Sequence, residues 1–171
     1  MNFKHVKVPG EPDNFVIFSG NCATFSGMIK ISLNYQINIK ILIMKYYISK
    51  KINEDFDQAV LLVTKSLKNE GFGVLTEINL QEKLKEKLNV DFRKYKILGA
   101  CNPAYAYKAV QLEDKIGTML PCSVIVQELE NNEIEVAAVD PVASMMAIEN
   151  SGLAGIAGEI KEKLERAIAS L

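Results

Sequence analysis

Two cysteines of this chain stand where thiol chemistry is possible. Cys101 directly precedes Asn102-Pro103, and Cys122 directly follows Pro121. If the strands that carry them are neighbours, the two sulfur atoms share the rim of one pocket. A helix that begins at Pro103 would also point its positive end at Cys101, which lowers the pKa of a thiol. Free cysteine is equally among the most buried residue types, so the pair fits structural thiols, a rim for a ligand or soft metal ion, or a redox pair.

Other polar side chains could complete such a rim. Tyr95 and Tyr105 combine an aromatic face with a polar hydroxyl group, and Glu77 offers a carboxylate near the end of an apolar strand. For each of the three, a partly buried or solvent-facing position is the common alternative. Asn102 precedes proline at a helix start, where capping also explains it. The candidate ligand-binding residues are Glu77, Tyr95, Cys101, Asn102, Tyr105 and Cys122.

The sequence disfavours several other kinds of site. His5 is the only histidine and precedes the regular part of the chain, which argues against serine–histidine and cysteine–histidine catalysis. The usual spacings of zinc ligands and the glycine-rich phosphate loops are missing from the sequence. We therefore predict no metal and no cofactor, and we assign no catalytic residue. A hydrolase or isomerase that uses Glu77 or Asp91 with a tyrosine is a minor alternative.

Composition and charge narrow the class of protein. The chain has 171 residues, 49% of them hydrophobic, and its 20 basic and 21 acidic side chains nearly cancel. That length supports one hydrophobic core, and the balanced charge predicts no nucleic acid and no membrane surface as partner. No apolar run reaches the roughly 18 residues typical of a membrane span. Three cysteines, an odd number, favour a reducing cytoplasm over a disulfide-built secreted domain.

The helix and strand patterns that must position the candidate residues begin only near Met44. Residues 1–43 show no amphipathic helical repeat and are treated as an N-terminal extension, either an appended hairpin or an upstream stretch outside the folding unit. Residues 44–171 are predicted to form a single domain. The periodicity there predicts strands over 45–50, 72–78 and 94–101, and helices after 53, after 79, over 103–111, after 140 and over about 153–171. The helix after 79 is predicted to bury Leu80, Leu84 and Leu88.

A hairpin is predicted between the β-rich runs 119–129 and 133–139. With Asn131-Asn132 as a two-residue loop, Val124 would pair with Val139 and Val126 with Ala137. These four residues would then share a face opposite a second apolar face. Because both faces would need a cover, we expect a homodimer.

Four motifs carry a resemblance to a known family: Gly71-Phe72-Gly73-Val74-Leu75-Thr76-Glu77, Tyr95-Lys96-Ile97-Leu98-Gly99-Ala100-Cys101-Asn102-Pro103, Leu120-Pro121-Cys122 and Val139-Asp140-Pro141. Residues 44–171 resemble the family called domain of unknown function 302. The resemblance implies a compact α+β domain similar to the TATA-binding-protein-like β-α-β fold, with an antiparallel sheet backed by a long C-terminal helix, and often dimeric. It brings no established activity.

The sequence thus predicts an α+β fold with an antiparallel or mixed sheet backed by helices. The predicted function is that of a cytoplasmic binding or interaction module, acting as a homodimer and holding a small molecule or peptide in a cleft between sheet and helices. The alternative is a thiol-dependent redox or soft-metal-binding protein that uses Cys101 and Cys122.

Overall fold

Residues 45–171 are described by a computed structural model. The predicted N-terminal extension, with His5 in it, lies outside the described residues. In chain order, the elements are β1 (Tyr47–Ile52), α1 (Phe56–Asn69), β2 (Gly73–Asn79), α2 (Leu80–Leu88), β3 (Tyr95–Cys101), α3 (Pro103–Leu112), a 3-10 helix (Asp114–Met119), β4 (Cys122–Glu128), β5 (Ile134–Val139), α4 (Pro141–Met145) and α5 (Ser151–Ala169).

The five strands form one sheet in the order β1-β5-β4-β3-β2. Every neighbouring pair of strands is antiparallel. This arrangement confirms the predicted α+β class, with an antiparallel sheet backed by helices and a long C-terminal helix. It also makes β3 and β4 neighbours, which is the condition for the two cysteines to share a pocket.

The hydrophobic core lies on one face of the sheet, here called the inner face. Leu98, Val124 and Val136 are fully buried there and pack with α1 and α5. Because side chains alternate along a strand, the residues between them point to the opposite face, here called the outer face. The last predicted helix is present as α5, and its buried residues are Leu153, Ala157, Ile160, Leu164, Ala167 and Ile168.

The hairpin between β4 and β5 exists, but its predicted register is wrong by one residue. Val124 pairs with Ala138 and Val126 with Val136. The loop has three residues rather than two, since the amide of Leu129 donates to the carbonyl of Glu133, and its last residue, Asn132, has a φ of 61°. Three-residue hairpin loops commonly end in such a left-handed residue. The slip moves Val124 and Val126 to the inner face.

Helix α1 begins and ends where its capping residues predict. The Asp55 carboxylate accepts hydrogen bonds from the amides of Asp57 and Gln58. At the other end Gly71 has a φ of +85°, a conformation that glycine adopts without steric cost. The chain reverses there, and the amide of Phe72 donates to the carbonyl of Leu67.

Helix α2 is less buried than predicted. The expected buried line Leu80, Leu84 and Leu88 is wrong, because α2 contains no buried residue and Leu88 is 65% exposed. The helix directly follows the edge strand β2 and does not cover the centre of the sheet. Among residues 45–171, no helix has both the length and the apolar character that crossing a membrane requires.

Candidate functional site

Four of the six candidate residues line one small cavity, here called the strand-end cavity. It has a volume of about 30 Å³ and lies where the ends of β3 and β4 meet α3, α4 and α5. The four residues are Cys101, Asn102, Tyr105 and Cys122. Most of the remaining wall is apolar, with Phe72, Leu120 and Ile156 among its residues. The structure thus brings the two cysteines to one cavity, but not into a rim for a large ligand.

Strand pairing brings the two cysteines to the same end of two neighbouring strands. β3 ends at Cys101 and β4 begins at Cys122, and the residue opposite Cys122 is Ala100, the neighbour of Cys101. Cys122 is buried, Cys101 is half-buried, and both are free thiols. The sequence motifs around proline therefore mark the end of β3 and the start of β4, which lie at the same end of the sheet.

The electrostatics of the thiols differ from the expectation. Burial raises the pKa of Cys101, although the positive end of α3 had been expected to lower it. Burial, assisted by the nearby Cys101, raises the pKa of Cys122 to about 11. Desolvation disfavours the charged form of a thiol, and here it outweighs the helix dipole. Both cysteines are therefore protonated at neutral pH, and neither is primed as a nucleophile.

Asn102 does not cap α3 with its side chain, contrary to the capping explanation. The other four α-helices of the described residues each begin with a side chain that accepts a hydrogen bond from a first-turn amide. At α3 that bond is missing, and Pro103 occupies the first turn. Asp140 does cap α4, through the amides of Val142 and Ala143. The first turn of α3 is therefore left without a side-chain acceptor beside the cavity.

Tyr105 connects the cavity wall to the helix surface. Its hydroxyl group donates a hydrogen bond to the carboxylate of Glu159, which raises the pKa of Tyr105. The ammonium groups of Lys108 and Lys163 lie 5.3 Å and 6.0 Å from the centre of its ring. Cation–π contacts are weak at exposed positions, so these two contribute little to holding the Tyr105 ring in place.

Glu77 and Tyr95 lie away from the strand-end cavity. The Glu77 carboxylate is 2.6 Å from the ammonium of Lys96, and half of its side chain is exposed. Asp91 is 92% exposed and pairs with Lys85. Neither carboxylate lines the strand-end cavity or the groove on the opposite face of the sheet. This geometry offers no support for an acid or base at Glu77 or Asp91.

Tyr95 instead lines a larger groove on the outer face, here called the outer groove. The groove has a volume of about 430 Å³ and contains both apolar and polar groups. Its lining includes Tyr46, Tyr47, Arg93, Tyr95, Ile125 and Ala137. The sequence analysis missed it because the predicted hairpin register mixed the two faces. The signal was the alternation Ser123, Ile125, Gln127 along β4.

A row of hydrogen bonds crosses the outer groove. Arg93 donates to the side-chain oxygen of Gln127 over 2.8 Å, and the amide group of Gln127 donates to the carboxylate of Glu135 over 2.7 Å. The Arg93 guanidinium also lies 5.7 Å from the ring centre of Tyr95. The row fixes one cation and one anion on the same face of the sheet.

Comparison with known proteins agrees with the motif resemblance. The family model described as "Domain of unknown function DUF302" matches residues 48–171. The structure is similar to the crystal structure of an uncharacterized conserved protein, DUF302, from Bacillus stearothermophilus. The two chains are 28% identical, with a TM-score of 0.68 over 72% of this chain and 96% of that chain. Among curated proteins, none matches the sequence significantly.

Proposed function

We propose, from the premise that this chain belongs to the DUF302 family, that it is an interaction module that works as a homodimer joined through its outer face. The observation that carries the proposal is the outer groove. The cleft between sheet and helices has only about 30 Å³, far below the roughly 300–1,000 Å³ of pockets for small organic ligands. The outer face, with a groove of about 430 Å³, is the surface large enough for a partner.

The side chains of the outer face suit a protein interface. Its centre is apolar, because Ile97, Ile125 and Ala137 lie opposite one another on the neighbouring strands β3, β4 and β5. Tyr47 and Tyr95 stand at its sides. Interfaces are enriched in aromatic residues and arginine, and charged residues concentrate at their rims. The same composition would be an unusual choice for a face left in water.

The charges favour a second copy of this chain as the partner. Arg93 and Glu135 lie on either side of Gln127, held by the row of hydrogen bonds. In a two-fold dimer each copy presents the same patch. With the axis near Gln127, Arg93 of one copy approaches Glu135 of the other, and the reverse contact forms as well. Such a dimer would contain two contacts between opposite charges, one on each side of the axis.

The proposal retains the cytoplasm as location. Both cysteines of the described residues are free thiols, as a reducing compartment would keep them. The redox alternative has less support, since burial raises the pKa of both thiols and slows attack by either sulfur at neutral pH.

Sedimentation equilibrium of the full chain tests the proposal. We expect a dimer at micromolar concentration, and we expect Ile125→Glu to give a monomer because it buries a charge in the interface. Leu61→Glu is the matched control: Leu61 is 62% exposed on α1, away from the sheet. It should leave the dimer intact. A wild-type chain that is monomeric at high micromolar concentration would reject the proposal.

A charge swap covers the case in which Ile125→Glu does not fold. Arg93→Glu should weaken the dimer because it places like charges together, and adding Glu135→Arg should restore it. Circular dichroism checks that each variant is folded. If the double variant dissociates as readily as the single one, the two-fold contact is wrong.

A further inference from the structure

We draw no further inference here: the strongest candidate, the free edge of strand β2, where the side chains of Leu75 and Ile78 are 64% and 45% exposed, is an apolar surface for which nothing within residues 45–171 shows what covers it.

Discussion

Lys161 and Asp140 tie the C-terminal helix to the start of α4. The ammonium group of Lys161 donates a 2.7 Å hydrogen bond to one carboxylate oxygen of Asp140. The other oxygen accepts from the amides of Val142 and Ala143. Asp140 is 6% exposed, so one buried carboxylate holds a helix cap and an interhelical ion pair together.

This relationship predicts a loss of stability in acid. Burial opposes ionisation of Asp140, but the ammonium of Lys161 and the two amides outweigh it, so the pKa of Asp140 lies below its ordinary value. A depressed pKa in the folded state contributes stability above the unfolded pKa, near 4, that is lost as pH falls through the folded value. Asp140→Ala should cost on the order of 1–3 kcal/mol at pH 7. Urea unfolding at pH 7 and pH 3 measures this loss. If the difference in free energy of unfolding between wild type and Asp140→Ala is the same at both pH values, the prediction is wrong.

Cys122 predicts the opposite behaviour at alkaline pH. Burial, with Cys101 nearby, raises its pKa to about 11 from 9.0, so the fold favours the neutral thiol. The corresponding stability is complete below pH 9 and is lost between about pH 9 and 11, on the order of 3 kcal/mol. Cys122→Ala should be less stable at pH 7 by about 1 kcal/mol of lost packing, yet lose less on alkalinisation. Urea unfolding across this range tests it, with Cys101→Ala as the half-exposed control.

Two glycines should respond in opposite directions to alanine. A Cβ at Gly99 would overlap the Thr76 hydroxyl oxygen and lie 2.7 Å from a ring carbon of Pro121. Gly99→Ala should therefore destabilise the domain by about 1–3 kcal/mol. Gly155 lies in α5 with open space around its Cβ position, so Gly155→Ala should stabilise by up to about 1 kcal/mol. Thermal unfolding of both variants measures the difference, and equal shifts would refute it.

The hairpin loop depends on the left-handed conformation of Asn132, whose φ is 61°. Asn132→Gly should be close to neutral, because glycine adopts this conformation freely. Asn132→Val should cost about 1–2 kcal/mol, since a β-branched residue is strained there. Chemical denaturation of the two variants separates these outcomes.

Residues 44–171 remain predicted to fold without the segment before them. The family model matches residues 48–171, a range that contains all of the five-stranded sheet except the first residue of β1. A chain that starts at Met44 should be monodisperse and melt cooperatively in calorimetry. If it is unfolded while the full chain is folded, the predicted domain boundary is wrong.

Local sequence signals predicted most of the elements but not the register. Asp55 and Gly71 mark the ends of α1 through their own backbone and side-chain chemistry, which needs no distant contact. The hairpin loop was visible in Asn131-Asn132, but its length depends on which residue adopts a left-handed conformation. An error of one residue in that length exchanged the faces of a whole strand.

Only one part of the candidate site was predictable from the sequence, namely the part that depends on which strands are neighbours. Cys101 and Cys122 meet because β3 and β4 are neighbours, which their positions at strand ends suggested. Met145 was missed, because it reaches the cavity only through the packing of α4, far along the chain. The size of the cavity and the free first turn of α3 also depend on that packing, which periodicity does not encode.

The pairing of β1 with β5 also determines how this domain can be made. Within the described residues, β1 has β5 as its strand partner, with Tyr47 opposite Val139. During synthesis β1 leaves the ribosome before β5, whose emergence follows that of three other strands, three α-helices and a 3-10 helix. Contacts of such long sequence separation form slowly, and an unpaired strand is open to wrong associations meanwhile. Nascent chains that end before residue 134 still lack the partner of β1, so we expect chaperones to bind them more than longer chains.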